Sequence, residues 1–441
     1  MATRLLHCGR NRGTPLLRVN VIGWRRQLAT ISPSSVRSPK KPLSHELEAA
    51  ARPDRTGVTT LPASWYRSDN FKLSQLEKRA IFARSWFFTT VTSEFKKKGD
   101  YRVFDFAGLS MFLVKGHDGE IRAFHNVCRH RAYPLRTQEA GCSGVISCGY
   151  HAWTFDLNGN LMKAPHFNDV DKKANGLYPV HLHITPGGLI FVNLEASETP
   201  SVSFEEYFPG LETLLDGFDL KRYELYKARE FIGDFNWKTR IDGFQECYHC
   251  HVAHKSLSKS FDIKNYAVRN HPNYTQHIAL ASPSSAKDAY GNSDALFLYL
   301  YPSGAINCFK NGWQRSFSSP IDSGRTRISM EYYVDPDLSE QEKADFVQSF
   351  YQVFEEDCAL CTNTQRSLDA GVYAKGVLHP VHESGVIVQA YQSRTKELVL
   401  KHAALEESLG RELNPASRAD QNSFAQSPED SLCARLEQRE W

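Results

Sequence analysis

Two Cys/His pairs carry the first chemistry that can be read from this chain: Cys128-Arg-His130 and, after seventeen intervening residues, Cys148-Gly-Tyr-His151. Two thiolates and two imidazoles in this order can hold a [2Fe-2S] cluster, the thiolates on one iron and the imidazoles on the other. Neutral imidazoles in place of two thiolates make the cluster less anionic and raise its reduction potential above that of an all-Cys cluster. Such a centre accepts an electron from a ferredoxin or flavin and passes it on. The same donors also suit a structural Cys2His2 zinc site. The flanks favour the cluster: each pair follows a short apolar stretch (121–127 and 145–147), and the second runs into Trp153-Thr-Phe155-Asp-Leu157-Asn-Gly159, a strand and turn signal. Two hairpin tips are expected, where a zinc finger would need a helix carrying its His pair.

A second dense constellation spans 236–254, with Asp242, Glu246, His249, His251 and His254. Asp242, Glu246 and His249 fall at i, i+4 and i+7, so one helical face would carry two carboxylates and an imidazole. His254 lies off that face unless the helix breaks near Val252. Two His and one carboxylate on one side of a metal, with positions left open for O2, form the facial triad of non-haem Fe(II) oxygenases. The carboxylate must then come from elsewhere in the chain. Cys247 and Cys250 form a CxxC, which could be a redox pair or a zinc half-site; on a helix they read as two small packing residues.

CRHRAYPL (128–135) and CGYHAWTFDLNGNL (148–161) resemble the two cluster loops of the Rieske non-haem iron oxygenases. Gly149 stands where that family commonly has Pro, and Ala152 where it commonly has Gly; neither supplies a ligand. The resemblance covers about 60–400. It implies that Cys128, His130, Cys148 and His151 bind the Rieske cluster, and that His249 and His254 bind a mononuclear Fe(II). The pattern ECYHCxxAH favours His249 over His251, and Glu355-Glu-Asp357-Cys-Ala-Leu360 resembles the family's carboxylate segment, so Asp357 is the expected third ligand with Glu356 as its competitor. The resemblance further implies a head-to-tail homotrimer. There Glu246 would connect His151 of a neighbouring copy to His249, unless it only orients its own histidine.

Those residues need elements to position them. Strands are expected at 101–106, 109–115, 121–126 and 187–194, with an Asp118-Gly119 turn, giving an all-β Rieske domain over 86–200 after a helical segment at 46–85 that includes an amphipathic helix at 73–86. A catalytic domain is expected over 201–405. Asn236 can cap a helix reaching 254, strands are read at 278–281, 296–301, 305–310 and 327–334, and Ser339 with Glu342 opens a long helix to about 366. A strand at 386–392 would close the sheet. The fold class is α+β: the Rieske domain, then an antiparallel sheet wrapped around a long helix.

At 441 residues the chain should hold two domains plus tails. Its net charge of +3 is too small to suggest nucleic acid, and the sequence lacks the run of about 18 or more apolar residues that spans a membrane. The charge is uneven: 1–45 hold nine Lys or Arg and no Asp or Glu, with leucines between the arginines and Ser32, Ser34 and Ser35 following. That composition is a transit peptide's and points to mitochondria, a cytoplasmic protein with a disordered basic extension being the alternative. With two of the ten cysteines assigned to the cluster, a reducing compartment is expected. From about Glu406 to 441 a solvated tail is expected.

With these parts the resemblance implies a monooxygenase that uses O2 and externally supplied electrons. The chain lacks a dinucleotide-binding fingerprint, so a ferredoxin or an NAD(P)H-dependent flavin reductase must be a separate partner. HRA after the first pair and ECYHC at the iron resemble choline and carnitine monooxygenases more than ring-hydroxylating dioxygenases. Choline to betaine aldehyde, a step of glycine betaine biosynthesis, is the leading expectation; carnitine, glycine betaine or a secondary metabolite is the alternative, and a non-catalytic zinc protein a remote one. A quaternary ammonium calls for aromatic faces, for which Phe297, Tyr299, Tyr301, Phe309, Trp313 and Tyr391 are candidates.

Overall fold

Alternating apolar residues draw the first domain into short antiparallel sheets. Asp100–Phe106, Leu109–Lys115 and Ile121–His125 pair as a meander, with Ala140–Cys142 on its other edge. Ala107 and Gly108 join the first two strands with positive φ (56° and 78°), the backbone a two-residue hairpin needs. A second sheet holds Ile146–Ser147, Thr154–Phe155 and Leu161–Lys163; a third holds His181–Ile184, Leu189–Asn193 and Trp86–Val91. The computed structural model describes residues 6–7, 59–215, 218–282, 289–379, 383 and 385–418. The expected import segment thus lies outside the described residues, apart from Leu6–His7, which pair in parallel with Phe231 and Ile232.

The second domain is built on one large sheet. Its strand order is Leu6–His7, Glu224–Gly233, Thr326–Val334, Gly312–Pro320, Gly304–Phe309, Ala295–Leu300, Tyr274–Ala279 and Ala267–Asn270, antiparallel after the first pair. The long helix runs Glu340–Asp369, opened by the expected Ser339/Glu342 capping box. It buries Val347, Phe354, Cys358, Cys361, Gln365 and Leu368, one stripe at helical spacing, and Phe346, Phe354 and Cys358 pack with Phe231, Met330 and Tyr332 of the sheet.

Three expectations change. The 73–86 helix is Phe71–Glu77 followed by a wider turn over Lys78–Phe82, and Trp86 starts a strand. Residues 386–392 are not a strand but part of a helix, Gly385–Leu409. Val388, Tyr391, Gln392, Thr395, Val399 and His402 are all buried, and that spacing overrides the β-branched run Val386-Ile387-Val388. The chain also stays packed past Glu406, which accepts from Arg79 at 2.6 Å, and Arg418 Nη2 donates to the Pro179 carbonyl at 2.8 Å. The solvated tail therefore does not begin at 406.

Two buried ionic contacts hold these parts together. Glu77 accepts from Trp237 Nε1 at 2.9 Å and Lys238 Nζ at 2.6 Å, tying the N-terminal helix to the one that leads into the second constellation. Glu331 lies between Arg102 of the first domain and Arg315 of the large sheet, and accepts from Tyr333 at 3.0 Å. Burial alone would push the Glu331 carboxyl up, but the two guanidiniums hold it down to about 2.

Candidate metal centres

The two cluster loops share one backbone design. Cys128 N–H donates to the Tyr133 carbonyl and Ala132 N–H to the Cys128 carbonyl; Cys148 N–H and the Trp153 carbonyl, and Ala152 N–H and the Cys148 carbonyl, repeat the pair, all at 2.8–3.0 Å. The fifth residue of each loop, Ala132 or Ala152, has φ +55°. The loop demands that left-handed turn, which glycine takes at little cost and alanine does not.

Cys128 and Cys148 are free thiols, each 3% exposed, within a core cluster that includes Ile146, Phe155 and Leu157. The His130 and His151 rings lie 4.6 Å apart; His130 stacks on Trp153 at 5.1 Å. Nδ1 of both rings is buried without a partner among the described residues. Buried imidazole nitrogens are almost always satisfied. Two orphaned imidazole nitrogens and two buried thiols on the paired loops fit a Cys2His2-held cluster, and the Tyr150 N–H lies 3.5 Å from Cys148 Sγ, a donor to a thiolate. Tyr133 and Tyr150 leave this tip exposed.

The second site departs from the single helix expected. Asn236 does cap it, but the helix spans only Trp237–Phe244, and the chain turns before a short helix at Cys250–Ala253. The break lies at 245–249 and not near Val252. Asp242 consequently does not share a face with Glu246 and His249; its Oδ2 accepts from Tyr66 at 2.6 Å and Gln392 at 2.8 Å, and burial pushes its carboxyl up to about 7. In the turn, Cys247 and Cys250 form a disulfide, so they are not the two helical packing residues expected. Once the helix stops, a CxxC turn can bring both sulfurs together.

The break lets two imidazoles converge. His249 and His254 rings are 5.0 Å apart, and Asp357 Oδ1, from the long helix, lies 3.5 Å from His249 Nε2 and 3.0 Å from His254 Nε2. Glu246 Oε1 lies 2.5 Å from His249 Nδ1, and Glu356 Oε2 lies 2.8 Å from His254 Nδ1. The far nitrogen of each ring thus meets a carboxylate, which leaves both Nε2 atoms free for a metal. Glu356, the competing ligand, is occupied behind His254, whereas Asp357 faces both rings. His249, His254 and Cys250 also approach as a possible metal group among the described residues, but the Cys250 sulfur is in the disulfide. Burial lowers the His249 pKa, yet Asp357 and Glu246 outweigh it and raise it to about 10, while the same imidazoles hold Asp357 well below the usual carboxylate range. The donors favour a positive charge where a metal would sit.

Glu246, His249 and Asp357 stand between two cavities. One, of about 660 Å³, is lined also by Tyr66, Asp242, Tyr373 and Leu378. The other, of about 120 Å³, lies against His254 and is lined by Tyr290, Phe297, Phe309, Phe350, Asn307 and Gln314. Of the expected aromatics only Phe297 and Phe309 line it. Trp313 is fully buried, stacked 4.0 Å from Tyr333, and Tyr299, Tyr301 and Tyr391 line a separate cavity with His271 and Arg394. Tyr290 and Phe350 were not anticipated because 290 lies in a loop and 350 on the long helix.

Residues 85–174 match the Rieske [2Fe-2S] domain and 219–399 the ring hydroxylating alpha subunit catalytic domain. The chain is similar to the carnitine monooxygenase oxygenase subunit of Escherichia coli K12, 32% identical over 329 residues, covering 71% of this chain and 85% of the relative. It is 26% identical over 346 residues to the chloroplastic choline monooxygenase of Arabidopsis thaliana, covering 74% and 81%. A crystal structure of the quaternary ammonium Rieske monooxygenase CntA superposes with a TM-score of 0.70 at 27% identity, covering 80% of this chain and 98% of that one. The chain belongs to the Rieske non-haem iron oxygenases, whose alpha-type subunits carry a Rieske cluster and a mononuclear iron.

Proposed function

We propose that this chain is the oxygenase subunit of a choline monooxygenase. Choline, O2, two electrons and two protons enter; the hydroxylated choline, which is the hydrate of betaine aldehyde, and one water leave. The observation that carries this reading is the small cavity against His254: Tyr290, Phe297, Phe309 and Phe350 surround it, and its Asp, Glu and Arg side chains, Arg240, Glu246 and Asp357, are all at the metal end. A quaternary ammonium has no N–H to donate and is held by ring faces.

Mononuclear iron held by His249, His254 and Asp357 would supply reductive O2 activation there. The chain's own residues prepare the site. Glu246 and Glu356 keep a proton on Nδ1 of the two imidazoles and fix their rings, and Asp357 stays ionised. The aromatic walls exclude water from the carbon to be oxidised.

Electrons must come from a separate ferredoxin or flavin reductase and, on this reading, pass between copies of the chain in a homotrimer. Support comes from two sets of exposed apolar residues: Tyr133 and Tyr150 at the cluster tip, and Tyr248, Val372 and Val377, each next in the chain to a residue that lines the larger cavity. A head-to-tail contact would bury both. Glu246 then links His249 to the neighbour's cluster; its other oxygen accepts from the Tyr248 and His249 N–H groups.

The similarity to a carnitine monooxygenase subunit, and to the glycine betaine monooxygenase oxygenase subunit of Chromohalobacter salexigens (35% identical over 208 residues, covering 47% of this chain and 45% of the relative), favours carnitine or glycine betaine as the second reading. Oxygen uptake by the iron-loaded protein with a reductase, offered choline, carnitine and glycine betaine in turn, tests this. Uptake coupled to betaine aldehyde is expected; uptake only with another compound removes choline.

A further inference from the structure

One row across the large sheet puts an aromatic ring and an amide side by side in the cavity. Phe297, Asn307 and Gln314 are directly paired across three adjacent strands, and all three line it. Asn307 is 7% exposed and Gln314 3%. Asn307 Nδ2 donates to Gln314 Oε1 at 2.8 Å, which engages one of the amide's two N–H groups and fixes its plane. Asn307 Oδ1 is then left buried without a partner among the described residues. A buried acceptor with no donor is uncommon in a folded protein, and where it also lines a cavity a ligand can supply one.

The geometry points to Asn307, held by Gln314, as a specificity-determining residue that accepts a hydrogen bond from a hydroxyl on the substrate. Neighbouring strands lie about 4.8 Å apart, so Phe297 and Asn307 address the two ends of a molecule only a few bonds long. A cationic head against the ring and an alcohol on the amide oxygen satisfy both. A carboxylate in the same place would bring its lone pairs against those of Asn307 Oδ1, and the bond to Gln314 keeps the amide from turning its NH2 there instead. The substrate class selected is therefore a short quaternary ammonium alcohol, and the corresponding acid is rejected. This rests on the quaternary ammonium reading of the site.

The test is equilibrium binding of four probes to the anaerobic holoenzyme by calorimetry: choline, ethyltrimethylammonium, which lacks the hydroxyl, glycine betaine and tetramethylammonium. One hydrogen bond to a buried, otherwise unpaired acceptor corresponds to roughly tenfold in affinity. Choline should therefore bind about tenfold more tightly than ethyltrimethylammonium, with glycine betaine weaker still. Asn307→Leu should erase the difference between choline and ethyltrimethylammonium. Gln314→Leu frees the amide to turn, and should narrow the gap between choline and glycine betaine. If the wild-type protein binds choline and ethyltrimethylammonium equally, the role of Asn307 is overturned while the cation site stands. If none of the cations binds, the quaternary ammonium reading falls and takes this inference with it. The wild-type comparison needs no variant to fold.

Discussion

One oxygen of Asp357 stands 3.0 Å from Nε2 of His254, while the adjacent Glu356 takes Nδ1 of the same ring at 2.8 Å. Two neighbouring carboxylates thus hold opposite edges of one imidazole and have different duties. Asp357→Ala should empty the mononuclear site and leave the Rieske cluster intact, because the two centres share no residue. Glu356→Gln keeps all three donors and loosens only the ring, so iron affinity should fall about 10- to 100-fold. Metal analysis with the electron spin resonance spectrum of the cluster reads both. Iron retained in Asp357→Ala would move the ligand elsewhere.

The cluster loops allow a stabilising change. Ala152 occupies a left-handed conformation, φ +55°, that costs an L-residue roughly 1–2 kcal/mol. Glycine removes that strain, and its added freedom in the unfolded chain costs about 0.4–1 kcal/mol. Ala152→Gly should therefore stabilise the loop by about 0.5–1 kcal/mol and leave the spectrum unchanged. Slower bleaching of the cluster on heating is the expected result; faster bleaching would show that the methyl group packs favourably.

How far the sequence alone discloses this molecule depends on whether the signal is local. The cluster ligands sit in two short hairpin loops, and the Ser339/Glu342 box starts its helix where expected. The helix from Asn236 could be read only at its start. Its end at Phe244 could not be read, and Asp242 within it bonds across the fold to Tyr66 and Gln392, partners that no local period reveals. The Gly385–Leu409 helix was legible in principle, since its buried residues keep a helical stripe from Val388 to His402, but three β-branched residues mask it. The strand Gly312–Pro320 buries Gln314, Arg315 and three serines, so polar composition hides it. That same strand supplies the amide of Gln314 to the cavity.

Glu331 makes the junction between the domains acid-sensitive. Its folded pKa is depressed to about 2 by Arg102 and Arg315 against a normal value of 4.5. A depressed carboxylate stabilises the fold fully above its unfolded pKa, and the contribution is lost as pH falls from 4.5 towards 2. The amount at neutral pH is on the order of 3 kcal/mol. Glu331→Gln leaves two buried guanidiniums without their anion and should cost about 3–5 kcal/mol at pH 7. Urea midpoints of the two proteins should converge as pH is lowered from 5 to 3. A gap that stays constant with pH would assign the effect to packing.

Glu246 holds His249 and lines both cavities, and its charge is the feature a mutation can remove without changing its size. Charge-assisted hydrogen bonds are roughly twice as strong as neutral ones, so Glu246→Gln weakens its bond to His249 and any bond to an imidazole of a neighbouring copy. The cluster should stay bound, and the iron site, weakened about 10- to 100-fold as in Glu356→Gln, is filled with excess Fe(II) because its three donors are untouched. Reduction of the cluster by its partner protein should proceed at near-normal rate, since the substitution leaves the cluster loops unchanged. Reoxidation of the pre-reduced cluster by O2 in the presence of substrate should slow by orders of magnitude. Stopped-flow absorbance of the variant, with metal content measured on the same sample, separates the two duties of this residue. Wild-type reoxidation at full metal occupancy would leave Glu246 as a residue that only orients His249, and the electron route between copies would have to run elsewhere.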